Sequence, residues 1–436
     1  MRSDEFFQAI LFVGQVLWIL ASEGIAYVMN RDYEQMIDRV TVRLAAINML
    51  YVKVFQAIAL NQHLIDDRIN RRLLRFTDQA PWTYDEIRHT TLVRVMVDHN
   101  IGFEPGYETP INAGMISLVF KGYKRDHPDQ KVILKLKRYN IEQVLDRAIR
   151  NLLFVIDWIP LMNRYQIAEV VRKNVDLIRR QTNFLEEVDH MERIRENCKH
   201  LKYVVIPKAN RAVTEAYPNV ILMDYVDGIK IGQISPEDYE PFAKAVIKFG
   251  LVTSLVHGVT HGDLHGGNIL FIKDANDRKT PHKIGIIDFG IIYEVQSNYK
   301  SMMFDVFTHL LDVSPRESAE KILSSGILDP PDILRQIPRA DYVAIVDFTE
   351  AIIADTIASA QGANQLQIYR FLHHLKNYLS KESLRDVGIR PSDDFVKSQL
   401  VLAMAHGVTL TLCKDNFIGL MDTVLNELFH TQMLLK

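Results

Sequence analysis

The run HGDLHGGNIL at 261–270, followed by IDFG at 287–290, constrains this chain more than any other part of it. Phosphoryl transfer from a nucleotide needs a carboxylate beside the attacking hydroxyl, and hard oxygen ligands that hold Mg²⁺ against the phosphates. Asp263, Asn268 and Asp288 supply that set, Asp263 as the catalytic carboxylate and Asn268 and Asp288 as metal ligands. Asp263 and Asn268 have the spacing of a phosphotransfer loop. Asp288 opens an Asp-Phe-Gly after a turn and the apolar run KIGII, which suits a loop with a strand beside it. An ordinary histidine-rich loop would share the composition, but not this joint match of residue type, order and distance.

Composition allows an intracellular enzyme. A chain of 436 residues that is 48% hydrophobic can bury a large core and divide into two or three domains. A formal net charge of -3 leaves no footprint for nucleic acid, so none is expected as a partner. Only Cys198 and Cys413 occur, with no CxxC, which points away from a disulfide framework and towards a reducing compartment.

The segment 6–29 is largely apolar, but Gln15, Ser22 and Glu23 interrupt it, so a spanning helix is a weak reading. Asp4 and Glu5 argue against an acid-poor transit peptide. A helix lying on a membrane, or on its own domain, remains. From 32 to about 90 apolar residues recur at helical spacing. MISLVFKGY at 115–123 and KVILKLK at 131–137 then read as a hairpin, and NVILMDYVDG at 219–228 as strand and hinge. After Gly290 nearly everything reads as helix. Lys135 follows VIL on the second strand, where an ammonium can grip phosphate; Lys131 and Lys137 read as lysines facing water. The turn upstream has no GxGxxG.

The chain resembles the UbiB-like atypical kinases, also called the ABC-one or ADCK family. KVFQ at 53–56 resembles the family's KxGQ helix, PINAGMISLVFKG its alanine-rich loop, VILKLKR its lysine strand, LMDYVDG its hinge, and HGDLHGGNILF with IDFG its HxDPHPGN and DFG. The resemblance implies an α+β, bilobal protein-kinase-like fold with a small β-sheet N-lobe, a helical C-lobe and an N-terminal helical extension. The expected divisions are an apolar helix over 1–31, the extension over 32–102, the N-lobe with a helical insert over 103–226 and the C-lobe over 227–436. It implies ATP or ADP with Mg²⁺ as cofactors, contacted by Lys53, Gln56, Ala113, Gly114, Lys135, Gln181, Met223 and Tyr225. It also implies an atypical kinase or ATPase at a membrane surface, acting on or regulated by a lipid or small molecule of the isoprenoid quinone type.

The chain departs from that pattern at several places. Phe55 stands for the glycine of KxGQ, and the acids of the family's ExD motif fall on Gln181 and Asn183, so Lys135 and Lys53 would meet neutral acceptors unless Glu186 or Glu187 takes over. Gly114 permits positive φ and a closer approach to phosphates. Gly262 replaces the arginine before the catalytic aspartate and no APE follows, which disfavours protein substrates. His261 and His265 are expected to orient the loop by hydrogen bonds rather than to hold zinc. Two alternatives stay open: a small-molecule phosphotransferase of the aminoglycoside or choline kinase type, and a weakly catalytic nucleotide- and lipid-binding scaffold.

Overall fold

A computed structural model of the chain describes residues 3–48, 51, 80, 82–103, 109–158, 175, 178–308, 313–324, 326–330, 332–363, 368–379, 381, 383–384, 388–396, 408–409, 411–413 and 416–428. Along the first half run α1 (Ser3–Asn30), α2 (Tyr33–Ile47), α3 (His89–Asp98), β1 (Ile101–Phe103), β2 (Asn112–Ala113), β3 (Ser117–Lys124), β4 (His127–Lys137), α4 (Ile141–Trp158), α5 (Phe184–Cys198), β5 (Val204–Val205), α6 (Arg211–Ala216) and β6 (Val220–Asp224). The second half carries α7 (Tyr239–Leu251), β7 (Val259–His261), β8 (Ile269–Lys273), β9 (His282–Ile286), β10 (Ile292–Glu294), α8 (Ser297–Thr308), α9 (Pro315–Ser324), β11 (Leu328–Asp329), α10 (Arg339–Ala363), α11 (Ile368–Leu379), β12 (Arg390–Pro391) and α12 (Phe417–Asn426). Two compact units result: 1–189 with 209–225, and 190–208 with 226–436.

The first unit is built on an antiparallel sheet ordered β1-β3-β4-β6, with β2 on β3. Strand alternation decides its two faces. Leu118 and Phe120 of β3, Val132, Leu134 and Leu136 of β4, and Val220 and Leu222 of β6 point one way into a core closed by Leu92, Val95 and Val213. The opposite face carries Val119, Lys135 and Ile221 abreast, with Ile133 beside Met223. Helix α1 packs on α2 and α4. Its single interior carboxylate, Glu23, is buried and ion-paired with Arg39 at 2.8 Å and Arg43 at 2.9 Å, both on α2. The same helix leaves Leu17, Trp18, Ile25, Val28 and Met29 exposed.

The second unit is mostly helical, and two of its small sheets frame one loop. In the first, β9 lies between β5 (parallel) and β8 (antiparallel); in the second, β7 pairs with β10. The strands β10, β11 and β12 interrupt the region after Gly290 that reads as helix in the sequence; Ile292–Glu294 is held extended because β7 supplies its hydrogen-bonding edge. Upstream, a π-helical turn at Val252–His257 ends on Gly258 at φ 72°, a left-handed backbone that only glycine adopts without strain and that turns the chain into β7.

Candidate active site

In the second unit the loop after β7 is built around His261. Its buried ring donates from Nε2 to the Asp288 carbonyl and accepts the Asp263 N–H on Nδ1 at 3.0 Å. The two bonds require the neutral Nε2–H tautomer. Burial pushes the imidazole below its ordinary value, against the opposing pull of the Asp288 carbonyl, and so keeps it neutral. One ring thereby sets the backbone at both aspartates. Asn268 closes a single 3₁₀ turn at Gly266–Asn268, and its Nδ2 donates to the Asp263 carbonyl at 2.9 Å. That bond fixes the amide, leaving its oxygen as the end suited to a cation. Asp288 accepts the Gly290 N–H on Oδ1 at 3.0 Å.

His265 behaves as expected, accepting the Gly267 N–H at 3.1 Å, and its Nε2 lies 3.7 Å from Asp263 Oδ2. Gly262 has a steric reason. A Cβ there would sit 2.4 Å from Ile291 Cγ2 and 3.1 Å from the Tyr293 ring, so those side chains occupy the space an arginine stem would need. Burial and the Asp263 carboxylate both push the Tyr293 hydroxyl above its ordinary value. His190 of α5, not anticipated from the sequence, stands 3.0 Å from the Phe289 carbonyl and holds the Asp-Phe-Gly backbone.

In the first unit Lys135 is 7% exposed, and its Nζ lies 2.6 Å from Glu187 Oε1, itself on a residue 2% exposed. The lysine thus meets a carboxylate rather than a neutral amide: Glu187, one turn beyond the Gln181 and Asn183 positions, takes that place because it faces the sheet from α5. Gln181 is also buried, with no hydrogen-bond partner for Oε1 among the described residues. Lys131 is exposed, but Lys137 is buried, which corrects the expectation that it faces water; it has the same strand parity as Lys135 and reaches Glu142 at 3.0 Å over the Phe184 ring.

Ala113 ends β2, and Gly114 opens a turn in which its N–H donates to the Ser117 carbonyl at 2.8 Å. Gly114 is not among the positive-φ glycines, so the left-handed conformation that glycine permits is not used there. Met223 lies on the Lys135 face of the sheet, and Tyr225 donates its N–H to the Lys131 carbonyl at 3.3 Å with its ring beneath the Lys121 ammonium. Lys53 and Gln56 lie outside the described residues.

One carboxylate and one oriented amide oxygen are a donor set that suits Mg²⁺, which prefers a few hard oxygens supplemented by phosphate and water. The chain is 22% identical to a probable protein kinase UbiB of Glaesserella parasuis over 66% of its own length and 54% of that protein's. It is 23% identical to the chloroplastic protein Activity of bc1 complex kinase 8 of Arabidopsis thaliana over 52% of its length and 30% of that protein's. It therefore spans about half or less of these two curated relatives. A solved structure of a Mycobacterium tuberculosis protein, Rv3197, in complex with erythromycin aligns with a TM-score of 0.47 at 14% identity, covering 90% of this chain and 98% of that one. The ABC1 atypical kinase-like domain matches residues 77–321, more than half of the sequence and inclusive of Lys135, Glu187, Asp263, Asn268 and Asp288. With that match, the chain belongs to the ABC1 atypical kinase-like family.

Proposed function

We propose that the chain binds Mg–ATP and cleaves its terminal phosphoryl group, passing it to a lipid or small molecule, or to water, rather than to a protein. The observation that carries this is the His261 bridge, which holds Asp263 and Asp288 together with an Asn268 amide turned for a cation. Asp288 and Asn268 would hold Mg²⁺, which when bound neutralises phosphate charge. Lys135, kept charged by Glu187, would hold phosphate oxygens, and the apolar face formed by Val119, Ile221 and Met223 suits an adenine ring. Asp263 would accept the proton of the attacking hydroxyl. The Lys135–Glu187 pair speaks for turnover over a scaffold that merely binds, and the Gly262 packing disfavours the arginine-dependent activation of protein kinases. Asp288→Asn, argued in the Discussion, tests the metal assignment.

Lys53 and Gln56 belong to the same reading. The buried Gln181 Oε1 is an acceptor suited to an ammonium. Lys53→Ala should change nucleotide affinity or turnover in a folded protein by about tenfold or more, since a charge-assisted contact is worth roughly 1.5–3 kcal/mol. Unchanged affinity and unchanged turnover would remove Lys53 from the site.

The membrane reading rests on α1. Its stretch Ile10–Asn30 is long and apolar enough to cross a bilayer by length and composition, yet Phe12, Ile19 and Glu23 are buried against the protein while Trp18 is 67% exposed. We propose that the exposed side lies on a lipid surface. Replacing both Leu17 and Trp18 by glutamate should lower flotation with phosphatidylcholine–phosphatidylglycerol vesicles at least about tenfold, because each large apolar side chain taken from water contributes ~1.5–3 kcal/mol. Nucleotide binding should hold. Equal flotation of variant and parent would exclude this face.

A further inference from the structure

The turn at 113–117 has an organiser that its own residues do not reveal. Arg138, one residue past β4, is 5% exposed and binds this turn twice: its backbone N–H donates to the Ile116 carbonyl at 2.9 Å and its Nε donates to the Gly114 carbonyl at 3.0 Å. A third carbonyl of the turn, that of Ala113, accepts the Ala80 N–H at 2.9 Å. The guanidinium is anchored from behind, with Nη1 2.6 Å from Glu86 Oε2. Glu86 is held in turn, since the same oxygen accepts the Thr83 N–H at 3.0 Å and its carbonyl accepts the Tyr139 N–H at 2.8 Å.

The consequence follows from peptide geometry. A trans peptide points its C=O and the next residue's N–H in opposite directions, so fixing the Gly114 carbonyl on Arg138 aims the Met115 N–H the other way. Among the described residues neither the Met115 nor the Ile116 N–H has a hydrogen-bond acceptor. Adjacent amides left over in a turn form a concavity for an anionic oxygen, and the Met115 amide is the one whose direction the tied Gly114 carbonyl sets.

We propose that Arg138 is a positioning residue for a phosphate-binding turn, locking the Gly114 carbonyl so that the Met115 amide faces a nucleotide phosphate oxygen, while its backbone bond to the Ile116 carbonyl pins the end of the turn. This rests on the nucleotide reading above and adds to it a residue that touches no ligand itself. Lysine at this position retains charge but loses the planar fork that reaches Gly114 and Glu86 together.

The test compares ADP and adenosine binding to the full chain by calorimetry. Adenosine lacks the phosphates, so a change confined to the turn should leave its affinity alone. Arg138→Lys is expected to weaken ADP about tenfold or more with adenosine unchanged, and Glu86→Gln, which loosens the anchor without touching the turn, to weaken ADP about threefold in the same selective way. Equal losses for both ligands, or no loss for ADP, would overturn the assignment. Should Arg138→Lys fail to fold, Glu86→Gln decides alone, and an unchanged ADP-to-adenosine ratio there overturns it. A parent chain that binds adenosine and ADP equally, or neither, would instead sink the nucleotide reading itself.

Discussion

Asp288→Asn is expected to abolish the Mg²⁺-dependent part of nucleotide stabilisation. A ligand that binds only the folded state at about 100 times its Kd adds ~2.7 kcal/mol, and at roughly 2–4 °C per kcal/mol for domains of 150–250 residues the parent should melt several degrees higher with Mg–ATP than with ATP and chelator. Asparagine has the shape of aspartate and can still accept the Gly290 N–H, so the loop should survive. What it loses is the carboxylate charge that a divalent ion needs. The measurement is a pair of melting curves, with Mg²⁺ and with chelator, for parent and variant. If Asp288→Asn keeps the parent's Mg²⁺-dependent shift, the ion does not sit on this residue.

Much of this site was legible because its parts are local in sequence. The spacing within HGDLHGGN is itself the loop geometry, since Asn268 reaches back only to the Asp263 carbonyl and His261 to the Asp263 amide. The hairpin was legible for the same reason, since both strands and the polar turn between them lie within 115–137, whereas the register that sets Lys135 opposite Val119 is not contained in either strand alone. Lys137 was not legible as buried, because its burial depends on Phe184 and Glu142, which lie outside the strand. The partner of Lys135 was left between two glutamates for a similar reason: the pair joins positions 52 residues apart, and only the rotation of α5 decides that Glu187 turns inward while Glu186 binds Arg180 at the surface. Glycine at 114 permits a left-handed backbone without requiring it, and bonds to the Ser117 carbonyl and from Arg138 hold the loop without one.

Breaking the Lys135–Glu187 pair should produce the largest loss of stability of any single change considered. Both side chains are nearly closed to water, at 8% and 2% exposure, so solvent screens their attraction little. Glu187→Gln removes the carboxylate and leaves the Lys135 ammonium buried without that counter-charge, and Lys135→Met strands the Glu187 carboxylate in the same way. Each single variant should lose about 3–5 kcal/mol by chemical denaturation. The double variant Lys135→Met with Glu187→Leu should recover most of that loss, since a well-packed apolar pair avoids the desolvation of both charges. It should not recover nucleotide binding, because the phosphate-gripping ammonium is gone. Stability and binding would then separate in one chain, which assigns the pair's charge to ligand binding rather than to holding the fold. Losses that simply add in the double variant would mean that the two residues act independently, and the buried ion pair would not be the means by which Lys135 is kept charged.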